Sequence, residues 1–137
     1  HVVKALGSER NKVNNKDKRV ICTISRDNLD VIIEGMSKVV SGTHGTARWY
    51  QIDSISMAGK TGTADNPHGK PHALYVAFAP VENPKIAIAV VVENAGFGAT
   101  WAVPIATLMI EKYINRTIKR KDVEERMIGD KPIPPEE

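Results

Sequence analysis

The sequence predicts an α+β domain in which an antiparallel sheet, a three-strand meander plus N-terminal strands, is flanked by helices. Three observations predict it. Apolar residues at Leu29, Ile32, Ile33, Met36, Val39 and Val40 recur at helical spacing. Extended runs around Lys60, over 73–79 and over 85–93 are joined by short Asn/Pro/Gly-rich links, which suit antiparallel neighbours. A second helical stripe, Ile105, Leu108, Met109, Tyr113 and Ile114, follows the last of these runs.

In chain order, residues 2–6 and 19–24 are short apolar segments joined by a polar, asparagine-rich stretch, the pattern of a loose hairpin. The first helix is expected over 26–41. Ser25 is placed to cap it and Gly42 to stop it, and Asp30, Glu34 and Lys38 lie on its polar side. A glycine-rich bend (41–47) and an irregular approach (49–53) lead to the Lys60 strand. The turn 65–71 precedes the strand 73–79, and Pro80 to Pro84 can reverse the chain. Lys85 to Glu93 is apolar on both faces, which places it inside a sheet covered on two sides. Thr100 is expected to cap the last helix, with Pro104 in its first turn. Past Arg116 the composition turns charged and then proline-rich. The boundaries expected are thus 1–117 for the folded part and 118–137 for a weakly packing tail.

The bulk composition excludes more than it assigns. In 137 residues, 42% hydrophobic and 26% charged content suit an ordinary globule. A net charge of +3, with no compact basic face interleaved with aromatics, argues against nucleic acid; Arg10, Lys12, Lys16, Lys18 and Arg19 read as a solvated loop. The single cysteine, Cys22, sits in the apolar run Val20-Ile21-Cys22 and reads as a small buried residue. No run of about 18 apolar residues is present. His68 and His72 are four apart, but Gly69 and Pro71 between them disfavour the helix a metal pair would need. No metal and no cofactor is expected, and His72 is expected to be a structural hydrogen-bonder.

The chemistry concentrates in Ser56-Met57-Ala58-Gly59-Lys60-Thr61-Gly62-Thr63-Ala64. A phosphate-binding loop would need a glycine where Ser54 stands and a helix after Lys60-Thr61, whereas Gly62 to Pro67 reads as a turn. As a strand, the stretch places Thr61 and Thr63 on one side and Lys60 on the other. Free amides, hydroxyls and a nearby cation together make a rail for a carboxylate.

Gly45-Thr46-Ala47, then Ala58 to Ala64, His72-Ala73-Leu74, Ala77-Phe78-Ala79-Pro80, Asn83-Pro84 and Glu93-Asn94 together resemble the transpeptidase domain of class B penicillin-binding proteins, of the penicillin-binding protein 2 (elongation) type. The resemblance runs from about residue 20 to 116 and implies a partial penicillin-binding/β-lactamase-like fold. It further implies a serine acyltransferase that cross-links peptidoglycan stem peptides ending in D-alanyl-D-alanine and is acylated by β-lactams. By the same resemblance, Lys60 polarises the site and the hydroxyls of Thr61 and Thr63 hold the substrate or drug carboxylate. Gly62 keeps the cleft wall flat, and the Thr63 backbone N–H supplies half of an oxyanion hole.

The family's nucleophile lies in S-x-x-K and a second serine in S-x-N. Ser8, Ser25, Ser37, Ser41, Ser54 and Ser56 fit neither pattern. The chain is therefore expected to be the C-terminal part of such a domain, without the nucleophile and inactive alone. The parent would be anchored in the bacterial inner membrane by an N-terminal segment absent here, with its catalytic domain extracytoplasmic and elongation-type cell-wall proteins as partners. A non-catalytic penicillin-recognising sensor or binding module of the same fold is the alternative, and a β-lactamase piece is disfavoured by the Ala77-Phe78-Ala79-Pro80 meander and the tail. Apolar surface left bare by the missing part would make the fragment prone to self-association.

Overall fold

The structure, a computed structural model, describes residues 5–6, 11–12 and 23–129. Strands β1 (Ala5–Leu6) and β2 (Asn11–Lys12) form a separate two-stranded antiparallel ladder. Ala5–Leu6 pairs with Asn11–Lys12; most of the second segment of the hairpin expected between 2–6 and 19–24 lies outside the described residues. Thr23 and Ile24 are not strand. Residues 19–22 with Cys22, most of the basic cluster and the proline-rich end from 130 lie outside the described residues.

Helix α1 (Arg26–Ser41) has the bounds its caps imply. The Ser25 side chain accepts from the Asn28 amide, and the Gly42 N–H closes on Lys38 O. Arg26–Asp30 and Lys38–Glu34 pairs run along its outer face. The Lys38 hydrogen bond holds the Glu34 carboxyl below its ordinary pKa. After a single 3-10 turn (Arg48–Tyr50), strands β3 (Ala58–Ala64), β4 (His72–Ala79) and β5 (Ile86–Val92) form the antiparallel meander, in that spatial order.

Being last in the sheet, β5 corrects the expectation of a strand covered on two sides. Ile86, Ile88, Val90 and Val92 are half-buried, while Ala87, Ala89 and Val91 are exposed, Val91 to 61%. Its apolar run records burial on one face only among the described residues. Tyr75, Ala73, Ala77 and Ala79 of β4 point the other way from Val76 and meet Ala102, Val103, Ala106 and Ile110 of α2 (Ala102–Asn115) in the core. Alanines on both sides of that contact let helix and sheet approach closely.

Two features of α2 differ from the expectation. Thr100 is not its cap. Trp101 holds that position without a side-chain cap, and the Gly98 carbonyl instead receives the Val103 amide. The core-facing side carries Val103, Ala106, Thr107, Ile110 and Glu111, so that Met109 and Tyr113 of the expected stripe are about half exposed. Polar Thr107 and Glu111 hide this side from a reading based on apolar periodicity. They are buried because Arg120 reaches them: its Nε lies 2.9 Å from Glu111 Oε2, and its Nη1 donates to Thr107 Oγ1 and to Tyr50 O. The Lys119 amide adds a 3.0 Å bond to Glu111 Oε1.

This cluster also corrects the expected tail. Residues 121–128 form a further helix, α3 (Lys121–Ile128), with Val123 buried, Met127 against the core and the Arg126 guanidinium 5.4 Å from the Tyr50 ring centroid. No described helix is long and apolar enough to cross a membrane.

Removing one member of a buried ion pair strands the other charge. Glu111→Ala should therefore cost about 3 kcal/mol or more in urea unfolding and strip α3 amides of exchange protection; a loss near zero would show that Arg120 does not anchor α3. Tyr75 presents the opposite case. Its hydroxyl is buried with no partner among the described residues, and burial pushes its pKa up to about 12. Deleting an unsatisfied polar atom removes its desolvation penalty, so Tyr75→Phe should leave the melting temperature unchanged or raise it. A loss above ~1 kcal/mol would show that the hydroxyl is served by a polar group.

Candidate active-site edge

Strand β3 is an end strand. Its full length is paired to β4, from Ala58↔Phe78 to Ala64↔His72, and its other edge has no partner strand among the described residues. Buried Ala58 and Gly59 seat its start against the core, with Tyr75 packed directly against Gly59. From Lys60 onward the strand emerges into solvent: Lys60, Thr63 and Ala64 are exposed, Thr61 and Gly62 half-buried. The approach is fixed by Ser56, whose hydroxyl accepts from the Val81 amide at 3.0 Å and donates to Glu82 Oε2 at 2.5 Å. That second bond holds the Glu82 carboxyl below its ordinary pKa. The distant end is tied by a polar knot. Asn66 Nδ2 donates to Asn94 Oδ1 at 2.6 Å, and the Asn94 amide donates to His72 Nδ1 at 3.1 Å. The structural role expected of His72 is the one it has, and acceptance at Nδ1 places the proton of the neutral ring on Nε2.

The expected alternation of Lys60 and Thr61 across the strand does not separate them in space. Lys60 bends back so that Nζ lies 2.6 Å from Thr61 O, and both residues line one open recess of about 530 Å³ together with Val39, Gly42, His44 and Thr46. Lys38, also at this recess, is already paired to Glu34, whereas among the described residues the Lys60 ammonium bonds to a backbone carbonyl and to no carboxylate. A bound anion would meet the Lys60 ammonium without displacing an acidic partner. Thr63 and Gly62 lie further along the strand, outside the residues lining the recess.

Gly62 is approached from behind by the chain itself. A Cβ on Gly98 would collide with Leu74 O and lie 2.6 Å from Gly62 O, so the 95–101 loop rests on the backbone of β3 and β4. A Cβ on Gly62 would be 3.3 Å from Leu74 Cβ. Thr46 is a member of the site that the sequence named only within a motif. Its Oγ1 lies 2.9 Å from Thr61 Oγ1, across a separation of 15 residues. Among the described residues, no cluster of three or more His, Cys, Asp or Glu could hold a metal.

The sequence profile described as "Penicillin binding protein transpeptidase domain" matches residues 1–111. The chain belongs to the penicillin-binding protein transpeptidase family. Within it, the peptidoglycan D,D-transpeptidase MrdA of Haemophilus influenzae is 35% identical over 100 residues, which cover 61% of this chain and 15% of that protein. Three solved structures are similar: penicillin-binding protein 2 of Pseudomonas aeruginosa bound to WCK 5153 (TM-score 0.65, 33% identity, 81% of this chain and 25% of that one), a ceftriaxone acyl-enzyme of penicillin-binding protein A from M. tuberculosis (0.62, 30%, 79% and 26%), and penicillin-binding protein 2 of Helicobacter pylori complexed with MreC (0.61, 30%, 74% and 20%). This member of the penicillin-binding protein family thus spans about 15% of the length of that MrdA relative.

The two glycines behind and within the edge differ in what they tolerate. Gly98→Ala meets backbone atoms that cannot swing away and should lower the melting temperature markedly; Gly62→Ala meets one side-chain carbon and should lower it little. Equal losses would show that the 95–101 loop does not brace β3.

Proposed function

We propose that this chain is the substrate-recognition part of a peptidoglycan D,D-transpeptidase. The carrying observation is that β3 holds Lys60 and Thr61 extended on an open sheet edge, in a chain of the transpeptidase family. In this reading the free edge receives the terminal carboxylate of a D-alanyl-D-alanine stem peptide, or of a β-lactam that imitates it. The hydroxyls of Thr61 and Thr63 donate to the carboxylate. Lys60 makes the local potential more positive and so favours negative charge, and Gly62 lets the peptide lie flat on the strand. The Thr63 N–H stabilises the oxyanion of the tetrahedral intermediate. An acyl transfer also needs a nucleophilic hydroxyl activated by a base; this chain has no serine in the S-x-x-K pattern, so that part of the chemistry belongs to the rest of the parent protein.

The parent is proposed to be an extracytoplasmic, membrane-anchored enzyme of cell elongation. The Helicobacter pylori complex with MreC supports a partner of that kind. Val31 of α1, together with Val76 and Val91 on the sheet face that α2 leaves uncovered, would pack against the remainder of the domain and would drive self-association of the isolated chain.

The test is acylation by a labelled penicillin followed by mass spectrometry. The parent protein is expected to carry one adduct and the 137-residue chain none. In the parent, Lys60→Ala or Thr61→Val should slow acylation by about 100-fold. An adduct on the isolated chain, or a parent that is never acylated, would overturn the proposal. Acylation without cross-linking of stem peptides would move the assignment to a penicillin-recognising sensor.

A further inference from the structure

Resting on that reading of the β3 edge and deepening it, we infer that Thr46 is a positioning residue for anion recognition: its hydroxyl sets the direction in which Thr61 presents its proton. The two oxygens are 2.9 Å apart, and either can be the donor. A threonine hydroxyl has one proton and two acceptor sites. If Thr61 donates to Thr46, only lone pairs remain for an approaching carboxylate, and the contact is repulsive. If Thr46 donates to Thr61, the Thr61 proton is left for the anion, and the chain Thr46 O–H, Thr61 O–H, carboxylate has each bond polarising the next. An anion selects the second arrangement, and Thr46 is the neighbour that makes it available without a rearrangement of the strand.

The backbone around Thr46 is built to hold that hydroxyl in place. Gly45 is buried against the C-terminal carbonyls of α1, where a Cβ would clash with Val39 O and come within 2.7 Å of Lys38 O. Its amide donates to Gly42 O at 2.9 Å. Ala47, 1% exposed, donates its amide to Val39 O at 3.0 Å. Between two anchored, buried residues only the Thr46 side chain emerges, and its branched Cβ leaves few rotamers. In the free protein water competes for both hydroxyls, since Thr46 is exposed. Once a ligand covers the recess and expels water, Thr46 remains as the fixed partner, and the oriented Thr61 donor then acts at lower dielectric. Thr63 has no hydroxyl partner of this kind among the described residues, so the two hydroxyls of the rail are not equivalent.

The experiment uses the parent protein and two probes that differ in one group: benzylpenicillin, with its free carboxylate, and benzylpenicillin methyl ester. For each variant the ratio of the two acylation rate constants is read, which cancels any change in the folded fraction. Thr46→Val, which keeps the shape and removes the hydroxyl, should lower this ratio about three- to ten-fold, the effect of one hydrogen bond. Thr46→Ser should restore it, and Thr46→Ala should repeat the loss if the valine packs badly. An unchanged ratio in Thr46→Val and Thr46→Ala, with slower acylation by both probes or by neither, would overturn the inference and leave Thr46 as a structural staple between loop and strand. Thr61→Val in the same assay separates the two levels. A lowered ratio there with none at Thr46 sinks this inference alone; no change at Thr61 sinks the carboxylate-edge reading beneath it.

Discussion

The interaction on which the rest of the structure depends is the one-sided pairing of β3 with β4. The ladder from Ala58↔Phe78 to Ala64↔His72 holds the strand extended over its whole length, so no side chain of the site has to pay for keeping the backbone straight. Because β4 is paired on both edges and packed on α2, it is the rigid member, and β3 inherits its geometry. The opposite edge of β3 has no partner strand among the described residues. Such an edge attracts other strands unless something blunts it. Here Lys60 folds across it and the Gly42–Thr46 bend lies beside it, which leaves room for a peptide end and little for a second sheet.

What was legible in the sequence is what local chemistry determines. The bounds of α1 follow from Ser25 and Gly42, whose capping bonds span only a few residues. The meander follows from short turns, and the extended edge strand β3 from a stretch that reads as a strand and not as a phosphate-binding loop. The misreadings at α2, α3 and β5 concern partners outside the element itself, whereas that at the α2 cap, Trp101 in place of Thr100, is local. Glu111 reads as a solvent residue until Arg120 is brought to it, and with Glu111 inside, the buried side of α2 turns away from Met109 and Tyr113. The same arginine converts a charged stretch into the packed helix α3 by bonding Tyr50 O, 70 residues away. Strand β5 was apolar on both faces, but whether both are covered is decided by what lies opposite, which its own residues do not state. Thr46 was visible only as part of Gly45-Thr46-Ala47, because its significance lies in the 2.9 Å to Thr61.

Under the proposed function, the site separates recognition from reaction. Its groups are donors and a cation, suited to holding negative charge, and its hydroxyls are threonines without a base in the S-x-x-K pattern. Under the proposed function, acid–base and nucleophilic chemistry would be brought to this edge by another part of the parent protein. That reading requires the two parts to be aligned to a fraction of an ångström for an acyl carbon to meet both. The braces described above would serve that alignment. Ser56 ties the entry of β3 to the β4–β5 turn, Asn66, His72 and Asn94 tie its exit, and Gly98 supports its back.

Under the proposed function, binding strength at this edge would be set by water. A lysine and hydroxyls on an open strand, facing solvent, gain about 0–1 kcal/mol from an anion, because the ammonium gives up hydration and its own bond to Thr61 O to reach it. The same groups become several-fold more effective where a wall excludes water, since the interaction scales inversely with the effective dielectric. The recess here is open, so under the proposed function the residues of this chain would determine which group is recognised, and whatever covers the recess would determine how tightly. A hydroxyl whose direction is already fixed by a neighbour gains most from that enclosure. It makes its bond to the anion without reorganising, at the moment when no solvent remains to reorganise in its place.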